Sequence, residues 1–229
     1  MSRQTYFTPG FYTFLTQLAR NNRREWFNAH KESYESDVRD PMLRFIAALA
    51  PRLRRVAPRV VVDPRPVGGS MMRIYRDTRF SRDKSPYKTA VAGHFRHERK
   101  AGESTPAFYL HLAPGRSFAG AGIWRAETPA LKRIRDAIAA DPKRWRRVTS
   151  RTAFGAACGM VGESLKRVPA GYDPASPVAE DFKRKDFAIS APIADRIVTG
   201  PGVLDTVIAA YRSFAPFTAF LCEAIGLPF

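Results

Sequence analysis

Thr89-Ala-Val-Ala-Gly-His-Phe-Arg-His97, Ala107-Phe-Tyr-Leu-His-Leu-Ala113 and Ser117-Phe-Ala-Gly-Ala-Gly-Ile-Trp124 decide the fold. Each reads with a period near two, the repeat of a half-buried strand. The Gly- and Pro-bearing connections between them are too short for helical crossovers, so the strands are expected to pair antiparallel. Upstream, Arg59–Asp63 is β-branched and Ser70–Arg76 reads as a further strand. The sheet is therefore expected over about residues 59–124.

On the N-terminal side the period changes to that of helices. Thr8-Pro9 has the form of an N-cap followed by proline at the first helical position. Phe11, Phe14, Leu15 and Leu18 then make an apolar stripe. Asn22 and Glu25 form a relaxed capping box, which predicts a second helix with Trp26, Phe27, His30, Tyr34 and Val38 inward. Pro41 is expected to open a third, carrying Met42, Phe45, Ile46, Leu49, Leu53 and Val56. On the C-terminal side, Pro129–Ala139 and Pro142–Val148 read as helices and 150–190 as irregular. Gly202–Ile225 is an apolar helix with a kink or break expected at Pro216. The fold class is α+β: a central, mostly antiparallel sheet flanked by N-terminal and C-terminal helices. One domain is expected over 1–229, with a helical layer about 8–57, the sheet about 59–124 and a helical or irregular remainder 128–229.

A hydrophobic fraction of 45% with 12% aromatics is that of a chain that buries a core. No apolar run approaches the ~18 residues of a membrane span, and the N-terminus carries no hydrophobic leader, so no membrane association is expected. Cys158 and Cys222 are too few for a disulfide framework, and their apolar surroundings suggest buried thiols in a reducing cytoplasm. The net charge is +17. Residues 51–100 hold 14 Lys/Arg against 4 Asp/Glu, and 101–150 hold 9 against 4. A field this strong attracts polyanions. Arginine supplies 29 of the 38 cations, and Ala and Pro are plentiful. Compositional drift therefore explains the excess equally well.

The densest chemistry lies in Arg73-Ile-Tyr-Arg-Asp-Thr-Arg-Phe-Ser-Arg-Asp-Lys-Ser-Pro-Tyr-Lys88. Six cations share sixteen residues with two acids, Asp77 and Asp83, and three aromatics. Guanidinium groups match phosphate or carboxylate because two N–H donors meet two oxygens together. Thr78, Phe80 and Pro86 argue for a strand followed by an ordered loop. The candidate ligand-binding residues are Arg73, Arg76, Asp77, Arg79, Asp83, Lys84, Tyr87 and Lys88. The bland alternative is a solvated loop whose Arg–Asp pairs contribute little. If the segment is catalytic, Tyr87 or Lys84 is the expected proton donor or acceptor, because neighbouring cations should lower both pKa values.

The pattern Arg73-x-x-Arg76-Asp77-x-Arg79-Phe80-x-x-Asp83-Lys84-x-x-Tyr87 resembles the signature of an uncharacterised bacterial and fungal family, the domain of unknown function 2461. Asn21-Asn22-Arg23-Arg24-Glu25-Trp26-Phe27, Gly120-x-Gly122 with Trp124, and Val168-Pro169-x-Gly171-Tyr172-Asp173 resemble it too. The resemblance implies one full-length domain and brings no activity with it.

Other motifs are weaker. His94 and His97 lie three apart in a strand and so on opposite faces, which is poor metal-ligand geometry. With His30 and His111 they read as structural, and neither metal nor cofactor is expected. No nucleophile elbow or phosphate-binding glycine loop is present. Gly120-Ala-Gly122 leads into a strand, so close backbone approach or a tight turn explains it. Lys143-Arg-Trp-Arg-Arg147 suits base stacking and phosphate contact, or equally a helix with Trp145 turned inward. Lys183-Arg-Lys185 reads as surface. Three functions stay open. The first is an anion-binding module for a nucleic acid or phosphorylated small molecule. The second is an enzyme whose Arg76 and Arg79 clamp an anionic substrate, and the third a structural or protein-interaction domain.

Overall fold

The computed structural model describes residues 4–99, 104–150 and 158–229. Helix α1 (Pro9–Arg20) buries Phe11, Phe14, Leu15 and Leu18. A short α2 (Arg24–Ala29) and α3 (Lys31–Tyr34) follow. α3 does not stop before the expected third helix. A π-helical turn, Glu35–Arg39, joins it to α4 (Asp40–Arg54), with the Asp40 N–H donating to the Glu35 carbonyl. The wider turn accommodates Pro41, which has no N–H for a regular bond. Asn22 does not cap α2. Arg23 is the cap residue, without a side-chain bond, and Asn22 is used elsewhere.

Five antiparallel strands form the sheet: β1 (Val91–Arg96), β2 (Ala107–Leu112), β3 (Phe118–Ile123), β4 (Gly159–Val161) and β5 (Phe187–Pro192), in the order β1-β2-β3-β5-β4. The sheet thus reaches beyond residue 124: β4 lies inside the stretch 150–190 read as irregular, and β5 begins there and ends at Pro192. Its six residues are lost in a Gly- and Pro-rich composition, yet all of β3 pairs with them. Gly122 is a consequence of that pairing. It has φ +125, and a Cβ there would lie 2.1 Å from the Phe187 carbonyl oxygen. The expected strands upstream are shorter than strands. Val60 makes one bridge to His97 and Met71 one to Gly93, while Tyr75 bridges Tyr87. The chain changes partner between Met71 and Tyr75, so no ladder grows long.

Alternation along the strands separates two faces. Phe95, Phe108, Leu110, Ala121, Phe187 and Ile189 point into one continuous core. That face is covered by α9 (Val203–Ala224), which packs most on β3 and also meets α4. At β1 the cover includes α4, whose Met42 Cε lies within 3.1 Å of the position a Cβ on Gly93 would take. Helix α9 runs unbroken through Pro216. Phe214, Phe217, Phe220 and Leu221, all buried, hold it in place despite the lost hydrogen bond. Between β3 and β4 lie α5 (Thr128–Ala140) and α6 (Pro142–Ser150). The one-turn helices α7 (Ala179–Phe182) and α8 (Asp195–Val198) flank β5. No helix among the described residues is long and apolar enough to cross a membrane.

Candidate functional site

The candidate residues sit on a hairpin that leaves the sheet at the edge of β1. The Met72 N–H donates to the Ala92 carbonyl and the His94 N–H to that of Ser70, both at 2.8 Å. The chain then turns outward, and Ile74 and Tyr87 close the hairpin base. Arg76 N–H donates to Pro86 O (2.9 Å) and Lys88 N–H to Ile74 O (2.8 Å). Ile74 is buried while Arg73, Tyr75 and Asp77 are exposed, so the alternation expected of an extended segment is present.

Asn22 locks the hairpin to the helical layer. Its Nδ2 donates to the Tyr87 carbonyl (2.9 Å) and its Oδ1 accepts from the Tyr87 N–H (3.1 Å). One side-chain amide thus replaces a strand neighbour. Tyr87 also stacks on Phe27, with centroids 4.1 Å apart and planes 18° apart. Sequence reasoning missed this role of Asn22. The signal was the Asn21–Phe27 block itself, which has no contact with the hairpin in sequence but completes it in space.

The two acids organise the tip. Asp77 Oδ1 accepts from the Arg79 backbone N–H (3.2 Å), and both its oxygens take the Arg79 guanidinium (3.0 and 2.7 Å). The Arg79 guanidinium beside it holds the Asp77 carboxyl down at about 2. Asp83 accepts from the Ser85 backbone N–H (2.9 Å) and hydroxyl (2.5 Å), and pairs with Arg76. Ser85 first and Arg76 second keep its carboxyl well below the usual range. Arg76 and Arg79 therefore serve separate carboxylates. Arg79 nonetheless has 77% of its side chain exposed. Arg73 and Arg82 are exposed and have no ion pair or side-chain hydrogen bond among the described residues. The Lys84 ammonium donates to the Thr78 carbonyl (3.0 Å) and that of Lys88 to the Arg73 carbonyl (2.8 Å). Between these cations Phe80 is 94% exposed and Tyr75 54%.

Tyr87 departs from the expectation that neighbouring cations lower its pKa. It is 3% exposed, and burial raises its pKa, with Tyr75 adding to the effect. For Lys88, burial and then Arg73 lower the pKa. The chemistry available at the tip is charge and ring surface, displayed to solvent.

The second basic segment has the opposite arrangement. Trp145 in α6 is wholly buried, against Phe187, Phe217 and Phe220. Arg144 pairs with Glu223 (2.9 and 2.5 Å) and covers the Phe220 ring. It lines a cleft of 540 Å³ between α5, α6 and α9, where Asp136, Asp141 and Glu223 offset Arg133 and Arg144. This mixed lining suits an anion less well than the hairpin does. Lys183, Arg184 and Lys185 are paired with Glu180, Asp181 and Glu163. The histidines are occupied: His97 Nε2 meets the Pro228 carbonyl (2.8 Å) and accepts at Nδ1 from the Arg99 N–H, while His30 Nδ1 meets the Trp26 carbonyl. No three His, Cys, Asp or Glu side chains among the described residues are grouped to hold a metal. Cys222 is buried, and Cys158 only partly so.

Fold and hairpin together define an α+β protein that presents a cation-rich loop from a sheet edge. A family model described as conserved hypothetical protein (DUF2461) matches residues 10–220, and the chain belongs to that family. A comparison with curated proteins finds no match. The blocks that resemble the family pattern divide by role in this structure. Asn22 and Phe27 meet Tyr87 at the hairpin, whereas the Tyr172 hydroxyl donates to Asp136 on α5 (2.8 Å) and Gly122 serves the β3–β5 approach.

Proposed function

We propose that the protein is an anion-binding module, and that the hairpin Arg73–Lys88 contacts the phosphates of a nucleic acid. The observation that carries this reading is the exposed hairpin, where Arg73 at its start and Arg82 near its tip make no ion pair among the described residues and Phe80 projects beside Arg79. An internal salt-bridge network would leave neither unpaired arginines nor an apolar ring in water. Asp77 and Asp83 set the shape of the tip, and Arg73, Arg79, Arg82 and Lys84 supply its charge. The enzyme reading has less support, since burial keeps Tyr87 protonated and Lys84 is tied to a backbone carbonyl.

Salt dependence tests it. Affinity for a duplex should fall linearly on logarithmic axes as salt rises, because binding releases counterions. Arg73→Gln with Arg82→Gln removes two phosphate contacts and should reduce the slope by about 1.8 for duplex DNA and about 1.4 for single strands. An unchanged slope moves the phosphates elsewhere on the molecule. A melting temperature raised by nucleotides or other phosphorylated metabolites, without oligonucleotide binding, would make the ligand a small molecule.

A further inference from the structure

We propose that the sheet face that no described helix covers is a platform for single-stranded nucleic acid, with bases lying on the rings of Tyr109, His111 and Phe118 and phosphates meeting Arg96 and Arg116. The inference rests on the nucleic-acid reading of the hairpin and extends it to a second surface.

Five strands give this sheet two faces, and the helices cover one of them. On the other, the register places His94 opposite Tyr109 and His111 opposite Phe118. Tyr109 lies 6.2 Å from His94 and 5.8 Å from Phe118, centroid to centroid, while His111 stacks on Phe118 at 4.9 Å and 18°. None of these four rings belongs to the core cluster, and each is only part-buried. An antiparallel sheet facing water ordinarily carries separated polar side chains there. Here a joined patch of flat rings stands beside small neighbours: Gly120 is opposite Tyr109, and Gly122 opposite Ala107. The Phe118 ring lies 3.7 Å from the position a Cβ on Gly120 would take, so the ring surface continues over that glycine.

The charge has the sign that a polynucleotide needs. Arg96 is exposed, donates from Nε to His94 Nδ1 (3.1 Å) and makes no ion pair among the described residues. Arg116, beside His111, is exposed as well. No residue that the register puts on this face of β1, β2, β3 or β5 is acidic. Burial lowers the pKa of both His94 and His111, keeping them neutral aromatic surfaces near pH 7. An acidic peptide would use the cations but has no planar groups for the rings. Base–aromatic stacking uses both, and is indifferent to sequence because every base has a π-face.

The platform adjoins the hairpin. Ser70–Met72 runs along the β1 edge, and exposed Met72 stands next to Ala92 in the row that continues to His111 and Phe118. A strand crossing the rings therefore leaves the sheet where Arg73 begins the hairpin.

Fluorescence anisotropy with a labelled twelve-nucleotide single strand, the matching duplex and polyglutamate tests this. Tyr109→Leu with Phe118→Ala should weaken single-strand binding about tenfold or more, as loss of stacking predicts, and leave duplex affinity and salt slope unchanged. Equal single-strand affinity in the variant and the natural chain, with matching circular dichroism, overturns the platform and leaves the hairpin reading standing. Natural protein that binds neither oligonucleotide at low salt overturns both. Stronger binding of polyglutamate than of the single strand overturns the base-stacking role. Photocrosslinking of 5-iodouracil-substituted strands to the unmutated chain removes any dependence on a variant that folds. Adducts on peptides from β2 and β3 are expected, and adducts confined to 73–88 overturn the proposal.

Discussion

The hairpin Arg73–Lys88 and helix α6 share a composition and differ in almost everything else. Each interleaves aromatic side chains with a run of cations. In α6 the helical period puts Trp145 on the face toward α9 and β5, and the cations Lys143, Arg146 and Arg147 on the opposite, exposed side. Burial of the ring is what fastens the helix, and the cations are left as a solvated face. In the hairpin the core is reached at the base, through Ile74 and Tyr87. No described element covers the tip, so Phe80, Arg79 and Arg82 share one exposed surface. The same classes of residue therefore become a core anchor in one place and an exposed surface in the other. What differs is whether the backbone period offers an inward direction.

The widest separation between the two should appear on truncating each ring. Trp145→Ala is expected to cost about 3–5 kcal/mol of stability, the range for a large aromatic removed from a packed core, and to leave oligonucleotide affinity unchanged in the folded fraction. Phe80→Ala should leave stability within about 0.5 kcal/mol while weakening single-strand binding. Denaturant melts and anisotropy on both variants measure this. A binding defect in the Trp145 variant alone would place the functional surface at α6.

The attachment of the hairpin gives the next largest effect. Asn22→Ala leaves the Tyr87 N–H and carbonyl without partners at a half-buried junction, which should cost about 1–3 kcal/mol. The loss should be local: faster amide exchange at Tyr87 and Lys88, with exchange in β2 and β3 unchanged. Uniform acceleration throughout the sheet would mean that Asn22 supports the whole fold and not the hairpin alone.

Much of this was legible from sequence, and the failures have physical causes. The apolar stripes of α1, α4 and α9 and the alternation of β1–β3 were visible because burial is one-sided and periodic there. β5 was missed because Phe187–Pro192 is short, and its neighbours Gly162, Gly171 and Pro177 dominate the composition. Pro216 does not break α9, because the local preference against proline loses to the burial of Phe214, Phe217, Phe220 and Leu221 around it. The candidate cations were found as a group, but their pairing was not. Which carboxylate takes which guanidinium depends on the turns made by Asp77 and Asp83 with the backbone N–H groups two residues on. Asn22 was read locally as a cap because its true partner lies 65 residues away.

The open sheet face supplies a pH test of intermediate size. His94 is held down to about 4, chiefly by burial and then by Arg96, against an unfolded value near 6.5. A depressed folded value means that the unfolded chain takes up the proton first. The contribution of His94 is therefore complete above about pH 6.5 and declines as the pH falls towards 4. From pH 7.5 to 5.5 the loss should reach about 1 kcal/mol, and His94→Gln should abolish that part of the decline. The hairpin responds in a different window. Its carboxylates have folded values below the unfolded one near 3.9, so the tip should stay locked from pH 8 to about 4.5 and loosen only as the pH drops further. Loss of hairpin order between pH 6.5 and 5 would contradict that assignment.

The smallest expected effect is the one that best separates a binding tip from a structural network. Arg79 bonds Asp77 through three donors, yet its guanidinium lies in water and the Asp77 side chain is 45% exposed. An exposed pair gains little, because solvent screens the attraction and two side chains must be ordered to make it. Arg79→Ala should accordingly move the melting temperature by no more than about 2 °C for a chain of this size, and Asp77 would keep its bond to the backbone N–H. Asp77→Ala removes all three bonds and the turn they define, so it should lower the melting temperature more and disturb the positions of Phe80 and Arg82. The binding order should be reversed in cause: Arg79→Ala weakens oligonucleotide binding by deleting a charge from an intact tip, whereas Asp77→Ala weakens it by disordering a tip that has gained net positive charge. Adding salt distinguishes the two, since only the first should flatten the salt slope. Large, equal stability losses at both positions would show the pair to be buried structure, and the hairpin would then lose its claim to a ligand.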